Sequence, residues 1–334
     1  MDAGSVAARL WPLVARWVPG ATGVGDVKAL AGGASQAIWS FDALTPEGAM
    51  PLVLRCAQQW SAEGQAGSVD MTTEAQLLRL AADGGVPVPV VRGVLAPADS
   101  LGEGFAMDRV AGEADGRTIL RDPAFATVRP TLAATCGRLM ARIHRMPSDR
   151  LPPLRFGQAA DECRAWAARH RANGSARPVF EWALRWLAGH LPQKVAAPTL
   201  VHGDFRNGNL IVGPEGVRAV LDWELAHRGD PMEDLGWFCV NAWRFGHIDQ
   251  PAGGFGSRAE LFAGYEAESG LSVDPARVHF WEVFGNFKWG VVCDSMGLAF
   301  IRGTDRSLAR AAVGRRASEA EIDLLHLLDP GHRP

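Results

Sequence analysis

Three polar side chains in the middle of the sequence have the types and spacing needed for phosphoryl transfer. Asp204 is followed five residues later by Asn209, and Asp222 comes after a further apolar segment. The turn sequence at 213–216 interrupts that segment, which predicts a β-hairpin. The hairpin would return Asp222 to the loop that holds Asp204 and Asn209. In such a set one Asp accepts or orients a hydroxyl proton, while an Asn and a second Asp hold Mg²⁺ on nucleotide phosphates.

Each of these residues also has an ordinary structural explanation, because Asp and Asn favour turns in any loop. We expect that explanation for Asp230 and Asp234, which flank Pro231 and should cap the next helix and bind loop backbone. For the first three residues together, the spacing around a hairpin favours the catalytic interpretation.

The sequence around these residues resembles the aminoglycoside phosphotransferase family. The resemblance rests on HGDFRNGN at 202–209 and on LDWELAHRGDPMEDLGW at 221–237, and it is strongest to the branch associated with acyl-CoA dehydrogenases. It implies an α+β, protein-kinase-like fold of two lobes. It also implies that Asp204 is the catalytic aspartate and that Asn209 and Asp222 are the metal ligands.

The composition is that of an ordinary globular protein and disfavours several other classes of function. The chain has 334 residues, of which 47% are apolar and 21% charged, enough for one or two domains. A net charge of −3 argues against a nucleic-acid partner. No apolar run is long enough for a membrane span, and the five cysteines are widely separated, as in a reducing cytoplasm. We therefore expect a cytoplasmic protein without nucleic-acid or membrane partners; the oligomeric state stays undetermined.

A glycine-rich loop is predicted between the first two strands of the β-rich segment at 27–57. Gly32, Gly33 and Ser35 have little side-chain bulk, so that backbone N–H groups there can approach phosphate oxygens. An ordinary hairpin loop would look the same. The loop is similar to the family's Gly-Gly-x-Ser-Asn pattern, with Gln36 in place of Asn, and this resemblance favours nucleotide binding.

The cation that a kinase places beside the α- and β-phosphates is predicted to be Arg55. Lysine cannot fill this role, because Lys28, before the glycine-rich loop, is the only lysine in the first 190 residues. In the helix predicted at 70–82, Glu74 lies in the middle of the apolar stripe, where a carboxylate is costly unless a cation meets it. Arg55 is the expected partner of Glu74. The alternative is that Glu74 faces the rim of the domain.

The strand predicted at 104–110 ends the β-rich part and is expected to form the hinge. Backbone groups around Met107 and Val110 would read the adenine edge, although an ordinary edge strand would have the same sequence. The sequence beyond is mostly helical. We expect a nucleotide-binding lobe at 1–110 and a catalytic and substrate-binding lobe at 111–334.

The predicted reaction is the ATP- and Mg²⁺-dependent phosphorylation of a small-molecule hydroxyl; GTP as the donor is not excluded. A polycationic acceptor needs an excess of carboxylates, yet residues 236–334 contain 12 Asp and Glu and 10 Lys and Arg. Aromatic side chains recur at helical spacing in 278–300; such a stripe is usually core, but part of it would offer an apolar surface to the acceptor instead. With the resemblance, this favours a neutral or anionic acceptor of hydroxyacyl type. The alternatives are an aminoglycoside or other antibiotic kinase, and a nucleotide-binding module that has lost catalysis.

Overall fold

A computed structural model describes residues 3–30, 36–57, 67–99, 101–329 and 331. Its first part is an antiparallel sheet of five strands in the order β1-β2-β3-β5-β4. One helix precedes the sheet, and another connects β3 to β4. The elements are α1 (Ala3–Trp17), β1 (Gly23–Leu30), β2 (Gln36–Thr45), β3 (Gly48–Ala57), α2 (Met71–Asp83), β4 (Val91–Val94) and β5 (Gly104–Asp108).

The two faces of β3 are buried against different parts of the molecule. Leu52 and Leu54 are completely buried and pack in the cluster that contains α1. Val53, on the opposite face, belongs to the large core shared with α2 and the helical part. Arg55 follows on the same face as Val53, because side chains alternate along a strand. The alternation predicted for this strand is confirmed.

Helix α2 begins where the sequence predicts it. The Asp70 side chain accepts a hydrogen bond from the Thr73 N–H at 2.6 Å and caps the first turn. Leu77 and Leu78 are buried on the face that also carries Glu74, whose exposed fraction is 1%. The predicted burial of this carboxylate is therefore confirmed.

The rest of the chain is mostly helical and contains two small two-stranded sheets, β6 with β9 and β7 with β8. The elements are α3 (Gly116–Arg121), α4 (Leu132–His144), α5 (Ala159–Asn173), α6 (Pro178–Gly189), β6 (Thr199–Val201), β7 (Leu210–Gly213), β8 (Gly216–Val220), β9 (His227–Gly229), α7 (Met232–Cys239), α8 (Arg258–Ser269), α9 (Pro275–Ile301), α10 (Leu308–Gly314) and α11 (Ala317–Leu328).

Helix α9 is the centre of the helical part and packs against α5, α6, α7, α10 and α11. Helices α4 and α8 cross closely because each has a glycine at the contact. A Cβ at Gly137 would collide with the backbone of Leu261, and one at Gly264 with that of Ala134. Helix α4 also contacts β6 and β8, the strands that precede the loops of Asp204 and Asp222.

The α+β expectation is confirmed, since an antiparallel sheet is followed by a mostly helical part. The boundary predicted at residue 110 falls two residues after β5, which ends at Asp108. The division into two functional lobes stays a prediction. In the described part of the chain, no helix is both long and apolar enough to cross a membrane.

Candidate active site

The hairpin predicted between Asn209 and Asp222 is present as β7 and β8. Leu210 is paired with Val220, and the N–H of Leu221 donates to the Asn209 carbonyl at 2.8 Å. Asp222 therefore directly follows Leu221, the residue whose backbone is bonded to that of Asn209. Its φ of 68° is left-handed, a conformation that non-glycine residues rarely adopt outside specialised sites.

The Asp204 side chain is held by three hydrogen-bond donors. The Asn209 amide donates to Oδ2 at 2.7 Å, and the indole N–H of Trp237 donates to Oδ1 at 2.8 Å. The Nε–H of Arg206 lies 3.1 and 3.2 Å from the two oxygens. Because an ionised carboxylate only accepts hydrogen bonds, these contacts fix its orientation. The structure thus brings Asp204 and Asn209 together as the spacing predicts.

His202 joins the loop of Asp204 to the end of the hairpin. Its Nδ1 accepts from the Asp204 N–H at 3.2 Å, and its Nε2 donates to the Leu221 carbonyl at 3.1 Å. This pattern requires a neutral ring with the proton on Nε2. The side chain is fully buried, and that burial lowers the pKa of His202 despite the nearby carboxylates.

The buried Asp234 carboxylate binds the backbone of the same loop. It accepts the backbone N–H groups of His202 at 2.8 Å and Gly203 at 2.9 Å, and His144 Nε2 lies 3.0 Å away. Gly203 has a φ of 79°, and a Cβ there would lie 2.5 Å from the Leu225 carbonyl oxygen. The predicted backbone-binding role of Asp234 is confirmed.

Asp230 has the capping role expected of it. Its Oδ1 accepts the N–H of Met232, the first residue of α7, at 3.1 Å. The other oxygen accepts the indole N–H of Trp281 at 2.7 Å and the Nε–H of Arg277 at 2.5 Å. This carboxylate therefore ties the start of α7 to α9.

Arg55 forms two ion pairs. Its Nη1 lies 2.5 Å from Glu74 Oε1, which confirms the predicted pair, and its Nη2 lies 3.0 Å from Asp222 Oδ1. Burial alone would lower the pKa of Arg55, but the charges of Glu74, Asp222 and Glu224 outweigh it, so that this pKa is raised. The guanidinium thus connects the sheet, α2 and the end of the hairpin.

The carboxylates of Glu74, Asp222 and Glu224 all lie close enough to Arg55 for their charges to raise its pKa. Burial, followed by the charges of Asp222 and Glu74, raises the pKa of Glu224 to about 7. A divalent cation held by Asp222 would add positive charge beside these carboxylates.

The donor groups in this region fit Mg²⁺ in chemical type. Asn209 uses its amide nitrogen on Asp204, which leaves the amide oxygen for a ligand. Asp222 has one oxygen on Arg55, and its side chain is 35% exposed. Carboxylate and amide oxygens are ligands that Mg²⁺ accepts, with phosphates and water completing the shell. Within the described ranges, no group of three or more His, Cys, Asp and Glu could hold a metal, so the metal prediction depends on Asn209 and Asp222.

The predicted nucleotide contacts divide into two groups. Gly32, Gly33 and Ser35 lie outside the described residues. Met107 lies inside β5, which has β3 on one side and β4 on the other, whereas Val110 follows the strand and is half-buried. Backbone groups for an adenine edge are therefore more accessible at Val110. The nucleotide roles of all these residues stay predictions.

An aromatic cluster adjoins Asp204 on the side of α7 and α9. The rings of Trp237 and Trp243 have centroids 5.1 Å apart, and Trp289 meets Trp243 edge to face with centroids 4.9 Å apart. Lys288 Nζ lies 4.6 Å from the Trp237 ring centroid, and Arg206 lies 4.7 Å from that of Trp243. The cluster is thus aromatic and carries positive charge at its edges.

The acceptor surface expected from the six aromatic side chains at 278–300 is wrong for four of them; Trp289 is half-buried and Phe300 is 37% exposed. Phe280, Trp281, Phe284 and Phe287 are at most 2% exposed and belong to the core. The reason is that α9 is apolar on most of its circumference, as in a helix surrounded by other elements. Only its Lys288 and Trp289 positions contribute to the cluster beside Asp204.

Sequence reasoning missed several residues of the site, in particular Trp237, Arg206 and Lys288. Trp237 lies 33 positions from Asp204, and Lys288 lies 85 positions from Gly203, whose carbonyl it approaches. No periodicity connects residues so distant. The available signals were the position of Trp237 directly after the GDPMEDLG segment and that of Arg206 inside the 202–209 motif, two positions from Asp204.

Solved structures of similar shape define the class of the fold. A Ralstonia eutropha protein assigned as an aminoglycoside phosphotransferase superposes with a TM-score of 0.74 at 22% identity, over 98% of each chain. The aminoglycoside phosphotransferase APH(4)-Ia, solved with AMP-PNP and hygromycin B, gives a TM-score of 0.64 at 17% identity, over 98% of this chain and 100% of that one. The predicted kinase-like α+β fold is thereby confirmed.

Sequence comparison identifies the family. Residues 26–271 match the sequence profile of the phosphotransferase enzyme family, APH. The chain belongs to this family. It is also 33% identical over 179 residues to mouse acyl-CoA dehydrogenase family member 10, an alignment that covers 50% of this chain but only 16% of that protein. The resemblance to the acyl-CoA-dehydrogenase-associated branch is confirmed.

Proposed function

We propose that the protein transfers the γ-phosphate of ATP to a hydroxyl group of a small molecule in an Mg²⁺-dependent reaction. The observation that carries the proposal is the position of Asn209. Its side chain binds Asp204, and its backbone binds the residue before Asp222. The proposed proton acceptor and the proposed metal ligands therefore form one connected unit, as phosphoryl transfer requires.

In this mechanism Asp204 accepts or orients the proton of the acceptor hydroxyl. Trp237 and Asn209 each bind one of its oxygens, so that the carboxylate keeps a fixed direction. Arg55, already placed by Glu74, would face the α- and β-phosphates. Asn209 and Asp222 would hold Mg²⁺, which neutralises charge on the phosphates when bound.

We further propose that the acceptor is neutral or anionic with an apolar body, as in hydroxyacyl compounds. A polycation needs free carboxylates once it is desolvated. Two carboxylates on α9 already have cationic partners within the protein, since Glu282 binds Arg244 and Arg258, and Asp294 binds Arg177. The likeness to an acyl-CoA dehydrogenase family member supports the same class of acceptor.

Two other functions each have one observation in their favour. An antibiotic kinase is supported by the shape of APH(4)-Ia, which was solved with hygromycin B. A module that binds nucleotide without catalysis is supported by Arg55, because a kinase usually has lysine at this position. Arg55 also engages Asp222, one of the proposed metal ligands.

The test is a transfer assay with ATP, with and without Mg²⁺, and with product detection by mass spectrometry. The acceptors are medium-chain hydroxyacyl thioesters, hydroxy acids and kanamycin-type aminoglycosides. Asp204→Asn should lower turnover about 10²- to 10⁴-fold while nucleotide affinity stays nearly unchanged. Equal turnover by Asp204→Asn would contradict the assignment of Asp204. Turnover of aminoglycosides alone would contradict the proposed acceptor class.

A further inference from the structure

Lys288 is a half-buried cation whose neighbours are mainly aromatic. Its Nζ lies 4.6 Å from the ring centroid of Trp237 and 5.8 Å from that of Trp166. Its one hydrogen-bond acceptor among the described residues is the Gly203 carbonyl, at 3.5 Å. An ammonium has three donors, so this environment leaves most of its hydrogen-bonding capacity unused.

No carboxylate in the described part of the chain lies within ion-pairing distance of Lys288. Glu233 is close enough for the charge of Lys288 to lower its pKa, but Glu233 is paired with His227 at 3.2 Å. Several other cations on or beside α9 do have carboxylate partners. These pairs are Arg177 with Asp294, Arg244 and Arg258 with Glu282, Arg277 with Asp230, and Arg316 with Glu319.

Lys288 and Asp204 share one aromatic neighbour. The indole of Trp237 donates its N–H to Asp204 and presents its face to Lys288. Trp243, in contact with Trp237, lies under the guanidinium of Arg206, which also binds Asp204. A molecule that offers its hydroxyl to Asp204 would therefore approach an aromatic cluster that carries the positive charges of Lys288 and Arg206.

We propose, on the basis of the function proposed above, that Lys288 binds an anionic group of the phosphate acceptor. The half-buried rings of Trp166 and Trp289, rather than the buried rings of Trp237 and Trp243, would contact the apolar body of such an acceptor. Hydrogen bonds between an ammonium and a carboxylate or phosphate are short and strong, and they gain strength where water is excluded. The acceptor is then a hydroxy compound that carries a negative charge.

The test compares two probes with the same acyl chain, the anion 3-hydroxydecanoate and its neutral methyl ester, which differ in charge and by one methyl group. Binding is measured by calorimetry in the presence of AMP-PNP, and kcat and KM are measured with ATP and Mg²⁺. The variants are Lys288→Met and Lys288→Arg, with Lys194→Met as a control because Lys194 is exposed.

We expect the wild-type protein to bind the acid at least about tenfold more tightly than the ester. Lys288→Met should abolish this preference by weakening the acid alone, Lys288→Arg should keep most of it, and Lys194→Met should behave as wild type. An unchanged preference in Lys288→Met, or none in the wild type, would overturn the proposal. So would an equal loss for both probes, since that would show that Lys288 only supports Trp237.

The two readouts separate this proposal from the proposed function. Calorimetry needs no phosphoryl transfer, so a Lys288-dependent acid preference without any phosphorylated product would support Lys288 and contradict the kinase activity. Equal turnover of the acid and the ester by wild-type protein, with equal KM, would contradict the role of Lys288 alone.

Discussion

The indole N–H of Trp237 donates a 2.8 Å hydrogen bond to the Asp204 carboxylate. Trp237 is buried in α7, three residues after Asp234, whose carboxylate binds the backbone of the loop that contains Asp204. The helix that follows the hairpin therefore sets the direction of the carboxylate that we propose as the proton acceptor.

Trp237→Phe should keep the ring and remove this donor. A hydrogen bond to a charged group contributes about 1.5–3 kcal/mol, so kcat should fall about tenfold to a hundredfold while nucleotide affinity is retained. Steady-state transfer and nucleotide titration measure the two effects. Trp182→Phe, at a side chain that is 43% exposed, is the matched control. Unchanged kcat in Trp237→Phe would show that the bond does not serve catalysis.

Asp222→Ala should weaken the effect of Mg²⁺ on nucleotide binding, because the cation loses a carboxylate ligand. Nucleotide is titrated with and without Mg²⁺ in the wild type, in Asp222→Ala and in the exposed control Asp249→Ala. The wild type and the control should bind nucleotide more tightly with the metal. If Asp222→Ala gains as much affinity from Mg²⁺, Asp222 is not a metal ligand.

Arg55 and Glu74 should be strongly coupled in the free energy of unfolding, and the two single substitutions should have unequal costs. Arg55→Met leaves Glu74 buried without its cation and should cost about 3–5 kcal/mol. Glu74→Gln should cost less, because Arg55 keeps its ion pair with Asp222. Denaturant unfolding of both variants and of the double variant gives the interaction energy. Strict additivity would mean that the pair contributes nothing in solution.

The Arg55–Glu74 pair shows what a sequence can specify. Strand alternation gave the face of Arg55, and helical periodicity gave that of Glu74, so two local patterns were enough to bring the charges together. The hairpin before Asp222 was equally local. By contrast, the second ion pair of Arg55, with Asp222, depends on how the sheet docks on the helical part.

Helix α9 shows the limit of the same reasoning. Its aromatic residues recur at helical spacing, but the pattern does not tell a core helix from a helix that lines a pocket. Phe284 and Phe287 turned out to be buried, while Lys288, the one lysine on the helix, lies beside Trp237. That contact depends on the crossing of α7 and α9, which no local pattern encodes.

The buried pair of His227 and Glu233 should make stability depend on pH. His227 Nδ1 lies 3.0 Å from the Leu225 carbonyl and Nε2 lies 3.2 Å from Glu233, so both ring nitrogens face acceptors, as an imidazolium requires. Burial alone would lower the pKa of His227 and raise that of Glu233. The attraction between the two charges reverses both shifts, so the pKa of His227 is raised and that of Glu233 is lowered.

The two pKa shifts determine how the free energy of unfolding changes with pH. The His227 contribution is complete below its ordinary pKa of 6.5 and is lost as pH rises through its raised value. The Glu233 contribution is present above its ordinary pKa of 4.5 and is lost as pH falls through its lowered value. The stability difference between wild type and Glu233→Gln should therefore be largest between these ordinary values, on the order of 3 kcal/mol. Urea unfolding across the pH range tests this; a difference that grows steadily above neutral pH would contradict the charged pair.

Asp234 accepts hydrogen bonds from the N–H groups of His202 and Gly203. These bonds limit how the segment around Asp204 can be recombined between related proteins. The loop that holds Asp204 has no regular structure of its own, and the N–H groups of His202 and Gly203 donate to a carboxylate that lies some thirty positions later in the chain. A chimera with residues 199–213 from one parent and 230–237 from another would combine a loop with a carboxylate from a different protein, in which the geometry of these hydrogen bonds can differ. Recombination within the family should therefore preserve residues 199–237 as one inherited block, with crossover points outside it.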